Sequence, residues 1–498
     1  MAADKELLDV LLKNGIINKA QYEALLKKGG DVGGADLLTI LQKNGAITKE
    51  QYATLSKKQA APAKAEAKHE EKEAAHVKLG EKGLEIESDD DNFKASFGGR
   101  LQLDSQINWN EKHTPRTAQL DDGVGIRRGR IHFEGTVYKD YDFKVEYDFA
   151  RGNGSTAAGL TDFYIRYQHF KPFSITAGQF KEPFSLESVG SNRFLTFIER
   201  SLPNNAFIEF GGPYELGLSL ESYGKLWTVR GAIQTEPVGA GFSNTTSTNS
   251  NGNSNRNNFS GNTSWSVTGR ATFLPIYNSP TQLVHVGVGG SYRELNNTFN
   301  ANGTLRSGGM TFASQPDTDV DRTNWVNTGN LTTSNGSKIL DHFTRFGAEL
   351  ATVFGPFSIQ SEYMRTQLTG KGYDSNDVLE GYYAYASYFL TGESRNYNTK
   401  EAKFDRLKVN RNFDFNGGWG AWEIAARWDY LDMNTRHVSG GRIENGTLAI
   451  NWYLNPRVRF MANYVHVFNV RTFADNASIA QFNGLNPDIL MFRTQIDW

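Results

Sequence analysis

The sequence predicts an all-β fold: an outer-membrane antiparallel β-barrel of about sixteen strands with an N-terminal α-helical extension. Three observations predict it. Apolar and polar residues alternate in stretches recurring from Phe93 to Trp498, the chain ends on such a stretch, and no apolar run reaches the roughly 18 residues of a membrane helix. Barrel strands expose only alternate residues to lipid, so alternation and not bulk hydrophobicity is the signal. The composition agrees, with 38% hydrophobic residues, 12% aromatic residues and 50 glycines in 498 positions, enough for many turns and aromatic anchors.

The first element is a repeat. Residues 7–28 (LLDVLLKNGIINKAQYEALLKK) recur at 37–58 (LLTILQKNGAITKEQYATLSKK). In each copy Leu8, Leu11, Leu12 or Leu38, Leu41 lie at helical spacing and Asn14-Gly15 or Asn44-Gly45 stops the helix. A second helix opens on a capping box, Asn18 with Gln21 or Thr48 with Gln51. Residues 1–58 therefore read as two helix hairpins, similar to the short two-helix (SHOCT-like) modules appended to many bacterial proteins. Residues 59–79 are mostly Ala, Lys and Glu, which suits a solvated linker or stalk, so 59–92 is assigned to the link and 93–498 to the barrel. Residues 1–20 lack a basic stretch followed by an apolar one, so an exported chain is expected to have lost its leader already.

The strands follow. Leu490, Phe492, Thr494, Ile496 and Trp498 alternate with Met491, Arg493, Gln495 and Asp497, an arrangement that suits lipid on one face and water on the other. Leu101, Leu103, Ile107 and Trp109 oppose Arg100, Gln102, Asp104 and Gln106 in the same way, and Phe143, Val145, Tyr147 and Phe149 oppose Asp142, Lys144, Glu146 and Asp148. A soluble sandwich also alternates. Aromatics near strand ends, spans near ten residues and a repeatedly charged hidden face favour the barrel. Short turns alternate with long polar loops, and the Asn, Ser, Gly and Thr of 236–263 and 296–338 predict segments that stay in water.

The charge and residue inventory excludes several functions. Cysteine is absent, so disulfides, thiolate metal sites and Cys nucleophiles are excluded. A formal net charge of −2 argues against a nucleic-acid binder. The nine histidines form no triad or metal motif: His132, His169, His285 and His466 each stand apart in strand-like stretches, and no Gly-x-Ser-x-Gly elbow or phosphate-cradling loop occurs. No enzyme and no cofactor are expected.

Four segments then carry a resemblance: FGGRLQLD (97–104), IRRGRIHFEGTVYKDYDFKVEYDFAR (126–151), AGQFKEPFSLES (177–188) and YYAYASYFLTGESRNY (382–397). Together and in this order they resemble the phosphate-selective porin family, porins O and P. The resemblance implies a homotrimer of barrels in outer-membrane lipid, passing small anions such as phosphate, with a third loop folded inward at about 181–205. It also implies a constriction at Arg100, Arg127 and Arg128 with Asp162 beside them, Lys181 and Arg193 on the inward loop, and Arg270 and Arg293 as rungs of an arginine ladder. The segment NTSWSVTGRATF (262–273) carries one arginine where the family has more, and Ser188 and Asp142 stand where it has lysines.

Arginine suits such a site because it stays charged, offers a planar fork to tetrahedral oxyanions and is weakly hydrated. Several spaced, weak sites let an ion leave as well as enter. Asp162 could accept a hydrogen bond from a protonated phosphate, or serve as a lumen salt bridge holding Arg127 or Arg128. For Arg427, Arg459 and Arg493, wall ion pairs with neighbouring acids are the expectation. Two other readings stay open: a general or cation-preferring porin, and a barrel scaffold whose helical head, on the periplasmic side, docks to peptidoglycan or a periplasmic protein.

Overall fold

The computed structural model describes residues 11–27, 34–56, 75–80, 83–109, 118–150, 159–210, 212–237, 247–248, 254–255 and 264–498. The chain forms two compact units, Met1–Val77 with Ile86–Asn92, and Lys78–Glu85 with Phe93–Trp498. Most of the predicted linker and of the loop 236–263 lies outside the described residues.

In the first unit, both capping boxes form. The backbone N–H of Asn18 donates to Gln21 Oε1 and that of Gln21 to Asn18 Oδ1, each at 2.9 Å, ahead of α1 (Lys19–Lys27). Thr48 and Gln51 repeat the exchange at 2.9 and 3.2 Å, between α2 (Gly34–Lys43) and the helical residues 49–56. Gly15 and Gly45 sit at φ +67° and +72°, the left-handed conformation that ends each preceding helix. Thr48→Ala is expected to destabilise the following helix by about 1 kcal/mol. Faster amide exchange at 49–52, relative to α1, is the readout.

In the second unit sixteen strands close a barrel. They are β1 (Phe93–Trp109), β2 (Gly123–Val137), β3 (Tyr141–Asp148), β4 (Leu160–Tyr167), β5 (Phe173–Lys181), β6 (Tyr214–Tyr223), β7 (Trp227–Thr235) and β8 (Trp265–Ser279). The second half comprises β9 (Gln282–Glu294), β10 (Ile339–Phe354), β11 (Phe357–Lys371), β12 (Val378–Phe389), β13 (Ala421–Asn434), β14 (Ser439–Asn455), β15 (Val458–Arg471) and β16 (Asp488–Asp497). Each strand pairs antiparallel with the next, and β16 returns to β1 with Arg493 opposite Asp104.

The two faces are the reverse of a soluble sandwich. Leu101, Leu103 and Ile107 point outward and are 42–49% exposed, whereas the intervening Gln102, Asp104 and Gln106 are at most 1% exposed inside. Outward apolar surface is stable only against lipid, and inward polar surface must find partners or water. Stacked pairs, Trp109 with Tyr464 at one end and Trp422 with Trp452 at the other, supply the interfacial aromatics.

The connections at one end are short (138–140, 168–172, 224–226, 280–281, 355–356, 456–457), and the chain enters β1 and leaves β16 there. One connection at that end, 390–420, departs from the expected alternation by its length. The other end carries the long loops, and two of them turn into the barrel.

The first is 182–213, which folds inward where the resemblance implied. The second is 295–338, which corrects the reading of a watery loop: Phe312, Trp325 and Val326 are fully buried and Leu331 nearly so. Trp325 stacks on Phe482 at 5.1 Å, and Phe312 meets Phe207 and Phe343 edge-on. A few large apolar residues outweigh the polar composition around them because inward residues of β10–β16 near this end are also apolar. Met364, Leu431, Met433, Met461, Val465 and Met491 join the loop residues in one core. The lumen of β10–β16 is thus packed much as a soluble protein is, and open space lies against β1–β8.

Candidate functional site

That space is a cavity of about 750 Å³, bounded by the walls of β1–β8, residues 183–194 of the inward loop, the 456–457 turn and residues 396–409 of the long short-end connection. Twelve lysine and arginine side chains and six carboxylates line it among the described residues. Arg100, Asp162, Lys181, Arg193 and Arg270 are among the lining, whereas Arg127, Arg128 and Arg293 are not.

Local sequence explains the arginine placement. A β-bulge opposite Gln102 and Leu103 interrupts the β2 register, leaving Arg127 as the extra residue. Both Arg127 and Arg128 thereby turn away from lipid, as a bulge re-aims side chains. Arg130, two residues on, also faces the lumen. It pairs with Glu146 at 2.9 Å and Asp148 at 2.7 Å and donates to Tyr214 Oη at 3.1 Å.

Most of these arginines are neutralised. Arg100 grips both oxygens of Glu146 (2.8 and 2.7 Å), Arg127 bridges Glu199 (2.8 Å) and Asp319 (2.9 Å), and Arg270 binds Glu349 bidentately while donating to the Ala402 carbonyl at 3.0 Å. Arg293 is paired with Glu215. Asp162 pairs with Lys144 at 2.9 Å, not with Arg127 or Arg128, because the adjacent strand β3 presents that lysine to it.

Two of the expected cations lie apart from this neutralisation, and a third is only loosely paired. Lys181 Nζ donates to the carbonyls of Ser188 (2.6 Å) and Gly190 (2.9 Å), Arg128 donates to Gln102 Oε1 (2.9 Å), and neither forms a salt bridge among the described residues. The guanidinium of Arg193, on the loop, is 3.7 Å from Asp497. Sequence reasoning missed Arg166 and Arg230, whose inward alternation on β4 and β7 was a readable signal. It also missed Lys400, Lys403 and Lys408, which reach the cavity only because 390–420 folds in.

The inward loop is held from the wall opposite. Arg427, Arg459 and Arg493 donate to the carbonyls of Glu199 (2.8 Å), Leu195 (2.8 Å) and Ile198 (2.6 Å). Arg427 and Arg493 also form wall ion pairs with Asp429 and Asp104. Arg459 departs from expectation, since its partners are Gln495, Tyr453 and the loop carbonyl. Glu362 accepts the N–H groups of Leu186 (3.0 Å) and Glu187 (2.8 Å), fixing the other limb. Burial alone would push the Glu199 carboxyl up, but the guanidiniums of Arg127 and Arg493 outweigh it and hold it well below the usual carboxylate range.

Elsewhere, His285 bridges Tyr397 (2.8 Å) and Glu349 (3.0 Å), tying the connection 390–420 to the wall. At the long-loop rim Asp374, Asp377 and His437 come together, and Asp377 accepts from Thr435 at 2.6 Å and contacts His437 Nδ1 at 2.8 Å, which fastens two loops.

Among solved structures, OmpT of Vibrio cholerae is similar at 10% identity and a TM-score of 0.46, covering 82% of this chain and 98% of that one. An uncharacterized protein of Caulobacter vibrioides is 26% identical over 380 residues, 76% of this chain and 69% of that protein. Porin O of Pseudomonas aeruginosa is 31% identical over 401 residues, 77% of this chain and 85% of that protein. The family model described as phosphate-selective porin O and P matches residues 96–498, so this chain belongs to that family and is an outer-membrane channel protein.

Proposed function

We propose that the barrel passes small oxyanions, phosphate or a close chemical relative, by passive diffusion, and prefers anions to cations. The observation that carries this reading is the cavity in which twelve cationic side chains outnumber six carboxylates. A charge pair at about 4 Å is worth about 1 kcal/mol in bulk water and about 4 at an effective dielectric near 20, so a narrow lumen can retain an anion that a wide one releases. Lys181 and Arg193 form the selective part of the lining, Arg100 and Arg270 supply carboxylate-held guanidiniums within it, Arg127, Arg128 and Arg293 lie behind it, and Asp162 with Lys144 keeps anion binding weak enough for release. The family's description and the likeness to Porin O support the same reading.

The barrels assemble as homotrimers, and the helical head lies in the periplasm. The second statement is supported by the entry of β1 at the short-turn end, which faces the periplasm in outer-membrane barrels.

A general or weakly cation-preferring porin is favoured by a different observation, the pairing of Arg100, Arg127, Arg270 and Arg293 with carboxylates. Reversal potentials in a planar bilayer under a potassium chloride gradient separate the two. Anion selectivity, with phosphate blocking the chloride current, is the expected result. Cation selectivity or indifference to phosphate overturns the oxyanion reading.

A further inference from the structure

The repeated head contains one interface within the chain and the two separate halves needed to form it again. Asn44 Nδ2 donates to the Ile16 carbonyl (2.7 Å) and to Gln21 Oε1 (2.9 Å), and Gln21 Nε2 donates back to Asn44 Oδ1 (3.2 Å). Beside this amide pair Ile17 is buried at 2% exposure, packed by Leu11, Leu12, Tyr22 and Ile40. The first copy thus offers residue 16, Ile17 and Gln21, and the second inserts Ile40 and Asn44.

The repeat spacing places Ala46, Ile47 and Gln51 in the second copy where the first has Ile16, Ile17 and Gln21, and Val10 and Asn14 in the first copy where the second has Ile40 and Asn44. Gln51 accepts the Thr48 N–H at 2.9 Å as Gln21 accepts that of Asn18, so its amide is held in the same pose. Yet among the described residues the Asn14 side chain forms no hydrogen bond and that of Gln51 bonds only Thr48, and Ile47 is half-buried where Ile17 is buried.

We propose that these halves meet between chains: Asn14 of one copy pairs with Gln51 and the Ala46 carbonyl of another, and Ile47 is covered as Ile17 is. The occupant is a second copy of this chain because the mating surface is already built once within it. Such a head-to-tail contact either closes into a ring or propagates as an open series. The proposal rests on the trimer proposed above only for bringing heads to a high local concentration, where a small contact suffices.

The absence of native cysteine makes the test direct. Full-length Asn14→Cys/Gln51→Cys protein, solubilised from membranes, is treated with a short bis-maleimide and compared with Gln21→Cys/Asn44→Cys. The second pair is expected to link within one chain and keep the monomer mass. The first is expected to shift to trimer mass for a ring, or to a longer ladder for an open series, while either single variant, with no cysteine opposite its own, stays at monomer mass. Monomer mass for the first pair, equal products from the single variants, or failure of the Gln21/Asn44 link each overturns the proposal. Migration of the unlinked, unheated barrel as a trimer or a monomer separately reports whether the trimer reading fails.

Discussion

Replacing Arg493 by alanine is expected to lower barrel stability by about 3–5 kcal/mol and to release the inward loop. The guanidinium is fully buried, donates to both oxygens of Asp104 (2.7 and 2.6 Å) and to Glu199 (2.9 Å), and holds the Ile198 carbonyl at 2.6 Å. Its loss leaves Asp104 buried without its cation and Glu199 with Arg127 alone, which is where the energy goes. The denaturant midpoint in detergent and the open-channel noise of single channels report the two effects. Arg493→Lys keeps the charge without the fork and is expected to recover only part of the loss. An unchanged midpoint with quiet current would assign the fastening to Arg427 and Arg459.

Lys181→Glu is expected to reduce the anion-over-cation permeability ratio by at least about tenfold, a change equivalent to about 1.4 kcal/mol. Lys181 lines the cavity, donates to two loop carbonyls and lies over the Tyr214 ring at 5.7 Å, and it forms no salt bridge with a carboxylate among the described residues. Reversing that charge replaces attraction with repulsion of similar size. Reversal potentials of the variant provide the measurement, with Lys181→Met separating loss of charge from its inversion. Unaltered selectivity in both variants would reduce Lys181 to a fastener of the Ser188 and Gly190 carbonyls.

Much of the barrel was legible because outward and inward positions follow a local rule: each residue's neighbours two places away share its face. The capping boxes were legible for the same reason, since Asn18 and Gln21, like Thr48 and Gln51, are partners within one turn. The departures arose where partners are distant in sequence. Trp325 packs on Phe482, and no local pattern in an Asn- and Ser-rich loop announces that contact. Glu199 and Asp319 reach Arg127 from two different loops, so the neutralisation of that arginine is a property of loop folding. Arg130 was present in the quoted segment IRRGR, but the bulge that sets the inward arginines of β2 is a feature of strand pairing.

The one-sided filling of the lumen separates two quantities that a bare cylinder would couple. Circumference follows strand number, but the bore here depends on the thickness of the lining laid against β10–β16, chiefly the loops 182–213 and 295–338. Insertions or deletions in those loops can therefore widen or narrow the aperture while every strand pairing and the lipid-facing perimeter stay as they are. Permeation could diverge between relatives through loop editing alone, on a wall that never has to be rebuilt.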